Sequence, residues 1–168
     1  EELAKKIKEA KKEITVGVTG KYTNVHDSYL SIIKALEYSA PYLGAKVKMK
    51  WIETSEIRNE SDARNALAGL NGIIVPGGFG ARGTEGKILC IKHARENNLP
   101  YLGLCYGFQM AVIEFARSVC GLKEANTTEI DANCSCPIID ILPEQKQKEG
   151  LGGTMRLGAY PCVLKAGS

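Results

Sequence analysis

Apolar positions along the chain recur at helical and strand-like spacings in turn. Residues 3 to 13 place Leu3, Ile7 and Ala10 on one stripe among lysines, which predicts an amphipathic helix. The apolar run from Ile14 to Val18 predicts a buried strand. Asp27 to Leu43 carries Leu30, Ile33, Ala35, Leu36 and Tyr38 at helical positions, with Gly44 as a stop. Val47 to Ile52 predicts a second strand. Ser61 to Leu70 predicts a short helix that Ser61 would cap. Ile73 to Val75 reads as a third strand, Thr84 to Asn97 as a helix, Tyr101 to Leu104 as a fourth strand and Gly107 to Val119 as another helix. Strands alternating with helices of this length predict βαβ units and a mainly parallel sheet covered on both faces, an α/β fold. Beyond Gly121 the pattern weakens. Residues 122 to 137 are mixed and polar, Ile138 to Leu142 fits a strand, Pro143 to Gly153 a loop, and Met155 to Leu164 a further extended segment.

Composition narrows the picture without changing it. The chain has 168 residues, 44% hydrophobic and 24% charged, which suits one globular α/β domain and excludes a disordered, collagen-like or coiled-coil chain. A net charge of +3 gives no argument for nucleic acid, and no apolar run approaches a membrane span. The six cysteines, Cys90, Cys105, Cys120, Cys134, Cys136 and Cys162, form no small-scaffold disulfide pattern, so reduced thiols and a cytoplasmic location are expected. The start at Glu1, without methionine, favours a fragment of a longer protein.

The strongest chemical signal is Gly103-Leu-Cys105-Tyr-Gly107. This Gly-x-Cys-x-Gly stretch follows a strand and opens a helix, the setting of a nucleophile elbow. Small neighbours let the sharp turn close, and the helix N-terminus offers free N–H groups that favour a thiolate and an oxyanion. A structural cysteine at a βα turn remains the alternative on these residues alone. The second signal, Pro76-Gly-Gly-Phe-Gly80, follows the third strand and can present backbone N–H groups to an anion. Adjacent strands would bring the two loops together.

Other motifs carry less. Gly17-Val-Thr-Gly20-Lys21-Tyr22 lacks the Gly-x4-Gly-Lys-Ser/Thr spacing of a phosphate loop. His93 fits a solvated helix face, His26 a loop, and Cys134-x-Cys136 lacks partners at zinc spacing, so no metal site is expected. A cysteine nucleophile needs a base, and neither histidine occupies a compelling position.

The stretch PGGFGARGTEGKILCIKHARENNLPYLGLCYGFQMAVIEFAR, residues 76 to 117, resembles the amidotransferase half of the CTP synthases, which are class I (triad-type) glutamine amidotransferases. Supporting similarity lies in Val18 to Tyr22, Asp27 to Ser31, Leu36 to Ser39 and Gly152 to Gly158. The resemblance implies a flavodoxin-like three-layer sandwich, with residues 1 to 13 as a linker helix and 14 to 168 as the glutaminase domain. Cys105 would attack the glutamine side-chain amide and form a γ-glutamyl thioester. The backbone N–H groups of Gly78 and Tyr106 would form the oxyanion hole, and Tyr106, Gly107, Phe108 and Gln109 would line the glutamine pocket. Glu129 would hold the substrate's α-amino group, as a carboxylate facing an ammonium should. Tyr106 and Phe108 stand where the family usually has Leu or Met.

The family's catalytic His and Glu lie in a segment several dozen residues beyond the Met155-Arg-Leu-Gly158 stretch, which this sequence does not include. The 168 residues alone are therefore expected to release little ammonia. The implied reaction hydrolyses L-glutamine to supply ammonia for ATP-dependent conversion of UTP to CTP. No cofactor is expected in this domain. ATP and Mg2+ would belong to a synthetase domain in the full enzyme, which would be a homotetramer binding neither nucleic acid nor membrane. A free-standing cysteine hydrolase of related fold and a non-catalytic flavodoxin-like module are the alternatives.

Overall fold

A computed structural model of the chain describes residues 1–20, 26–141 and 163–167. The described elements, in order, are α1 (Glu2–Glu9), β1 (Lys12–Gly20), α2 (Leu30–Ser39), β2 (Ala45–Glu53), α3 (Glu60–Leu67), β3 (Gly72–Val75), α4 (Thr84–Glu96), β4 (Tyr101–Gly103), α5 (Tyr106–Ser118), β5 (Ala125–Thr127) and β6 (Cys136–Ile139). Among the described residues, no helix is long and apolar enough to cross a membrane.

The first four strands form one parallel sheet in the order β2-β1-β3-β4. The chain steps outward from β1 to β2, then returns across β1 to continue on the other side. With right-handed crossovers, that reversal puts α2 on one face and α3 and α4 on the other. This is the expected flavodoxin-like arrangement, and it places the ligand crevice outside the C-terminal strand ends. A continuous core occupies the face covered by α3, α4 and α5, where Ala63, Leu67, Ile88, Ile91, Met110 and Ile113 pack against Ile73 and Val75. All four residues of β3 are buried, as a central parallel strand requires.

Several boundaries differ from expectation for identifiable reasons. The first helix stops at Glu9, and β1 begins at Lys12 because the Lys12 N–H reaches the Gly44 carbonyl and Lys12 pairs with Ala45. The helix expected from Asp27 to Leu43 is three pieces, with α2 between 3-10 turns at His26–Tyr29 and Ala40–Leu43. Pro41 lacks an N–H and cannot continue α2. It opens the second turn instead, which Gly44 ends at φ 67° as expected. Asn59, not Ser61, caps α3, since its Oδ1 accepts from the Asp62 N–H at 3.0 Å.

The polar stretch after Gly121 contains an unexpected strand, β5, paired in parallel with β6. Beyond it, β6 is Cys136–Ile139 rather than Ile138 to Leu142. The expected loop from Pro143 to Gly153, and residues 155 to 162 of the expected extended segment, lie outside the described residues.

Candidate active site

The β4–α5 junction turns through one of the two non-glycine residues with positive φ in the described backbone. Cys105 has φ 52° and ψ −107°, a conformation that costs a non-glycine residue about 1–3 kcal/mol. Its side chain is exposed. A cysteine that only fills the core would be turned inward. Close packing holds the strain in place. A Cβ on Gly107 would lie 1.9 Å from the Val75 carbonyl oxygen, and one on Gly103 would lie 2.7 Å from the Phe108 nitrogen. Only glycine lets α5 begin directly against β3. The Gly107 N–H donates to Leu104 O at 2.9 Å, and the Tyr101 hydroxyl donates to Gly107 O at 2.6 Å. Burial raises the Tyr101 phenol above the ordinary tyrosine range, so it remains a donor.

The glycine-rich loop after β3 lies beside this elbow. A Cβ on Gly77 would be 3.6 Å from the Cys105 Cβ, and Gly78 is exposed next to it. The two loops are therefore brought together as expected. Tyr106 starts α5, so no preceding helical turn accepts its N–H, which is free to face an anion.

The Tyr106 ring points the other way. It is 1% exposed, and its hydroxyl donates to Gly80 O at 2.7 Å with Thr84 Oγ1 at 3.2 Å. Burial raises the Tyr106 phenol, partly offset by the Thr84 hydrogen bond. Tyr106 thus tethers the far end of the glycine-rich loop to the elbow. Thr84 and Lys87 belong to this layer, and sequence reasoning passed over both. The available signal was their place in the first turn of the helix directly after the loop.

Glu129, two residues beyond β5, joins the same cluster. Its Oε1 accepts from the Gly80 N–H at 3.0 Å, and its own N–H donates to Thr127 Oγ1. Arg117 positions this strand. Its Nε donates to Ala125 O at 2.7 Å, and its Nη1 reaches both Glu85 carboxylate oxygens at 3.0 Å. Further along α5, the buried Glu114 accepts a bidentate pair from Arg95 of α4 at 2.8 and 2.9 Å. These contacts explain the charged positions in the Glu114-Phe-Ala-Arg117 stretch.

The other expected pocket residues divide by role. Phe108 is 62% exposed near the elbow. Gln109 is partly buried, and its side-chain Oε1 is buried without a hydrogen-bond partner among the described residues. Gly107 is buried and turned to β3, so its contribution is to the turn. The Cys105 thiol has no hydrogen-bonded base among the described residues. His93 lies on α4 beside Glu60, Arg64, Lys92 and Asn97, away from the elbow. His26 opens the 3-10 turn before α2. Among the described residues, no group of three or more His, Cys, Asp or Glu side chains could hold a metal ion.

The sequence profile described as glutamine amidotransferase class-I matches residues 24–168. The chain belongs to this family. CTP synthase of Thermococcus gammatolerans is 51% identical over 164 residues, covering 98% of this chain and 30% of that protein. CTP synthase of Bacillus subtilis is 50% identical over 167 residues, covering 99% of this chain and 31% of its own length. The chain thus spans less than a third of the curated relatives it matches. Among solved structures, the glutaminase domain of Trypanosoma brucei CTPS with bound acivicin is 34% identical at a TM-score of 0.74, over 83% of this chain and 54% of that one. The amidotransferase elbow, its glycine-rich neighbour and Glu129 all fall within the matched residues.

Proposed function

We propose that this chain is the glutamine-hydrolysing part of a CTP synthase. One observation carries the reading. An exposed Cys105 at a strained helix N-terminus is abutted by the glycine-rich loop, and Glu129 is hydrogen-bonded to that loop. The near-complete coverage of this chain by CTP synthases at about half identity supports the same assignment.

In the proposed reaction the Cys105 sulfur attacks the carboxamide carbon of L-glutamine. The carbonyl π electrons move to oxygen, and the N–H groups of Gly78 and Tyr106 stabilise the resulting oxyanion. As the carbonyl re-forms, the C–N bond breaks and the nitrogen leaves as ammonia after gaining a proton. A γ-glutamyl thioester remains. Water then attacks it, releasing glutamate and restoring the thiol. Glu129 pairs with the substrate's α-ammonium. The proton carrier is the His/Glu pair that the family keeps beyond the stretch corresponding to residues 155–158.

Thioester chemistry of this kind uses no cofactor in these residues. ATP, Mg2+ and UTP belong to the synthetase domain, which would consume the ammonia in a cytoplasmic homotetramer. Glutamine-dependent ammonia release by the full-length natural protein is the test. Cys105→Ser should lower it by at least about a thousandfold, while CTP formation from added ammonia continues. Retained glutamine turnover in Cys105→Ser would overturn the assignment.

A further inference from the structure

Among the described residues, Lys87 is the one lysine that is fully buried, at 3% exposure. A lysine in that position is expensive unless something fixed makes use of its charge. Its ammonium lies 5.0 Å from the centroid of the Tyr106 ring. A Cβ on Gly78 would be 3.9 Å from the same nitrogen. The cation therefore sits next to both residues whose N–H groups form the proposed oxyanion hole. Its backbone is anchored as well, with the Lys87 N–H donating to Gly83 O at 3.1 Å.

We infer that Lys87 is an electrostatic positioning residue for the oxyanion hole, holding the Gly78 and Tyr106 donors in place and adding a fixed positive charge behind them. This rests on the glutaminase reading above. The physical reason is timing of charge. The glutamine carboxamide is neutral in the ground state, and negative charge appears on its oxygen only as the thiolate adds. A buried cation nearby therefore favours the tetrahedral state over bound substrate, which is the condition for raising kcat rather than lowering KM. Lys87 has a further partner of its own. A cation held in place still serves, because the benefit comes from a charge that need not reorganise during the reaction. Tyr106 couples the two effects: its ring meets the ammonium by a cation–π contact, and its backbone supplies one donor.

The experiment uses the full-length natural protein, with Lys87→Met, Lys87→Gln and Lys87→Arg compared for glutamine hydrolysis. The second readout is inhibition by glutamate γ-semialdehyde, whose thiohemiacetal with the cysteine mimics the oxyanion. Met matches the lysine stem without its charge, and Gln keeps a donor without the charge. Either neutral variant that folds, judged by its thermal unfolding midpoint, is sufficient. Each should lose about tenfold or more in kcat with KM for glutamine within about twofold, less than the 10²–10³ lost with a whole oxyanion-hole donor. Semialdehyde affinity should fall by the same factor as kcat, and Arg should restore most of both.

Three results would overturn the inference: unchanged kcat in a folded neutral variant, parallel losses in glutamine and semialdehyde binding, or loss of semialdehyde affinity in a folded Arg variant as large as in the neutral ones. Failure of the underlying reading has a separate signature. The wild-type protein would then release no ammonia from glutamine, and the role of Lys87 would fall with it.

Discussion

Cys90 and Cys105 lie fifteen positions apart in adjoining βα units and have opposite fates. Cys90 is on the inner face of α4, fully buried in the core, and burial pushes its thiol up to about 12. Cys105 is exposed at the first turn of α5, where free N–H groups and the helix dipole meet it. The side chains are identical, so the difference comes from the backbone that carries them. At Cys90 an ordinary helix packs a small apolar group. At Cys105 two glycines let a helix start against a strand, and the residue between them is forced outward in a strained conformation. The exposure that the proposed nucleophile needs is a property of the turn.

Filling the turn at Gly107 should disturb the elbow most. Gly107→Ala would place a methyl group 1.9 Å from the Val75 carbonyl, so β3 or α5 must move. Urea denaturation should show a loss of about 3 kcal/mol or more. Alanine accepted within about 0.5 kcal/mol would mean the close approach does not hold the elbow.

A smaller effect sharpens the Cys90 side. Its folded pKa lies above the ordinary thiol value of 9.0, so the unfolded chain ionises first as pH rises. The stability this thiol contributes is complete below pH 9 and is lost between 9 and about 12. The slope approaches about 1.4 kcal/mol per pH unit where only the unfolded thiol is ionised. Denaturation midpoints from pH 8 to 10.5 should fall more steeply in the natural protein than in Cys90→Val. Identical slopes would show that Cys90 reaches solvent.

The smallest expected change lies far from both cysteines. Asn59→Ala removes the α3 cap and should cost about 1 kcal/mol, measurable by the same denaturation. It should leave alkylation of Cys105 unaltered, since α3 borders the core and not the elbow. A changed alkylation rate would tie the elbow's geometry to helix α3.

The parts of this arrangement that were legible in sequence are those where one signal dominates. Ile73 to Val75, Thr84 to Asn97 and Gly107 to Val119 lie within one residue of β3, α4 and α5, because buried apolar runs and flanking glycines mark them. The Gly-x-Cys-x-Gly spacing located the elbow for the same reason. Ala125-Asn-Thr127 offered no alternation to mark β5, and its strand character comes from pairing with β6 and from the Arg117 side chain. Ser61 looked like the α3 cap because capping chemistry is shared by Asn, Ser and Asp. Only the observed bond selects Asn59. The sequence marked Tyr106 for its backbone N–H, but not the layer its buried ring forms with Thr84 and Lys87. That layer joins residues up to twenty-six positions from Gly80 through a buried ring, and local sequence does not record which hydroxyl meets which carbonyl.

Covalent labelling of the full-length natural protein with a chloroketone analogue of glutamine, read by intact mass and peptide mapping, tests directly whether Cys105 sits in a glutamine site. One adduct on Cys105, suppressed by excess glutamine, is the predicted result. Labelling spread to Cys120 or to the part-buried Cys134 and Cys136, or labelling of Cys105 that glutamine does not slow, would contradict a glutamine site built around this elbow.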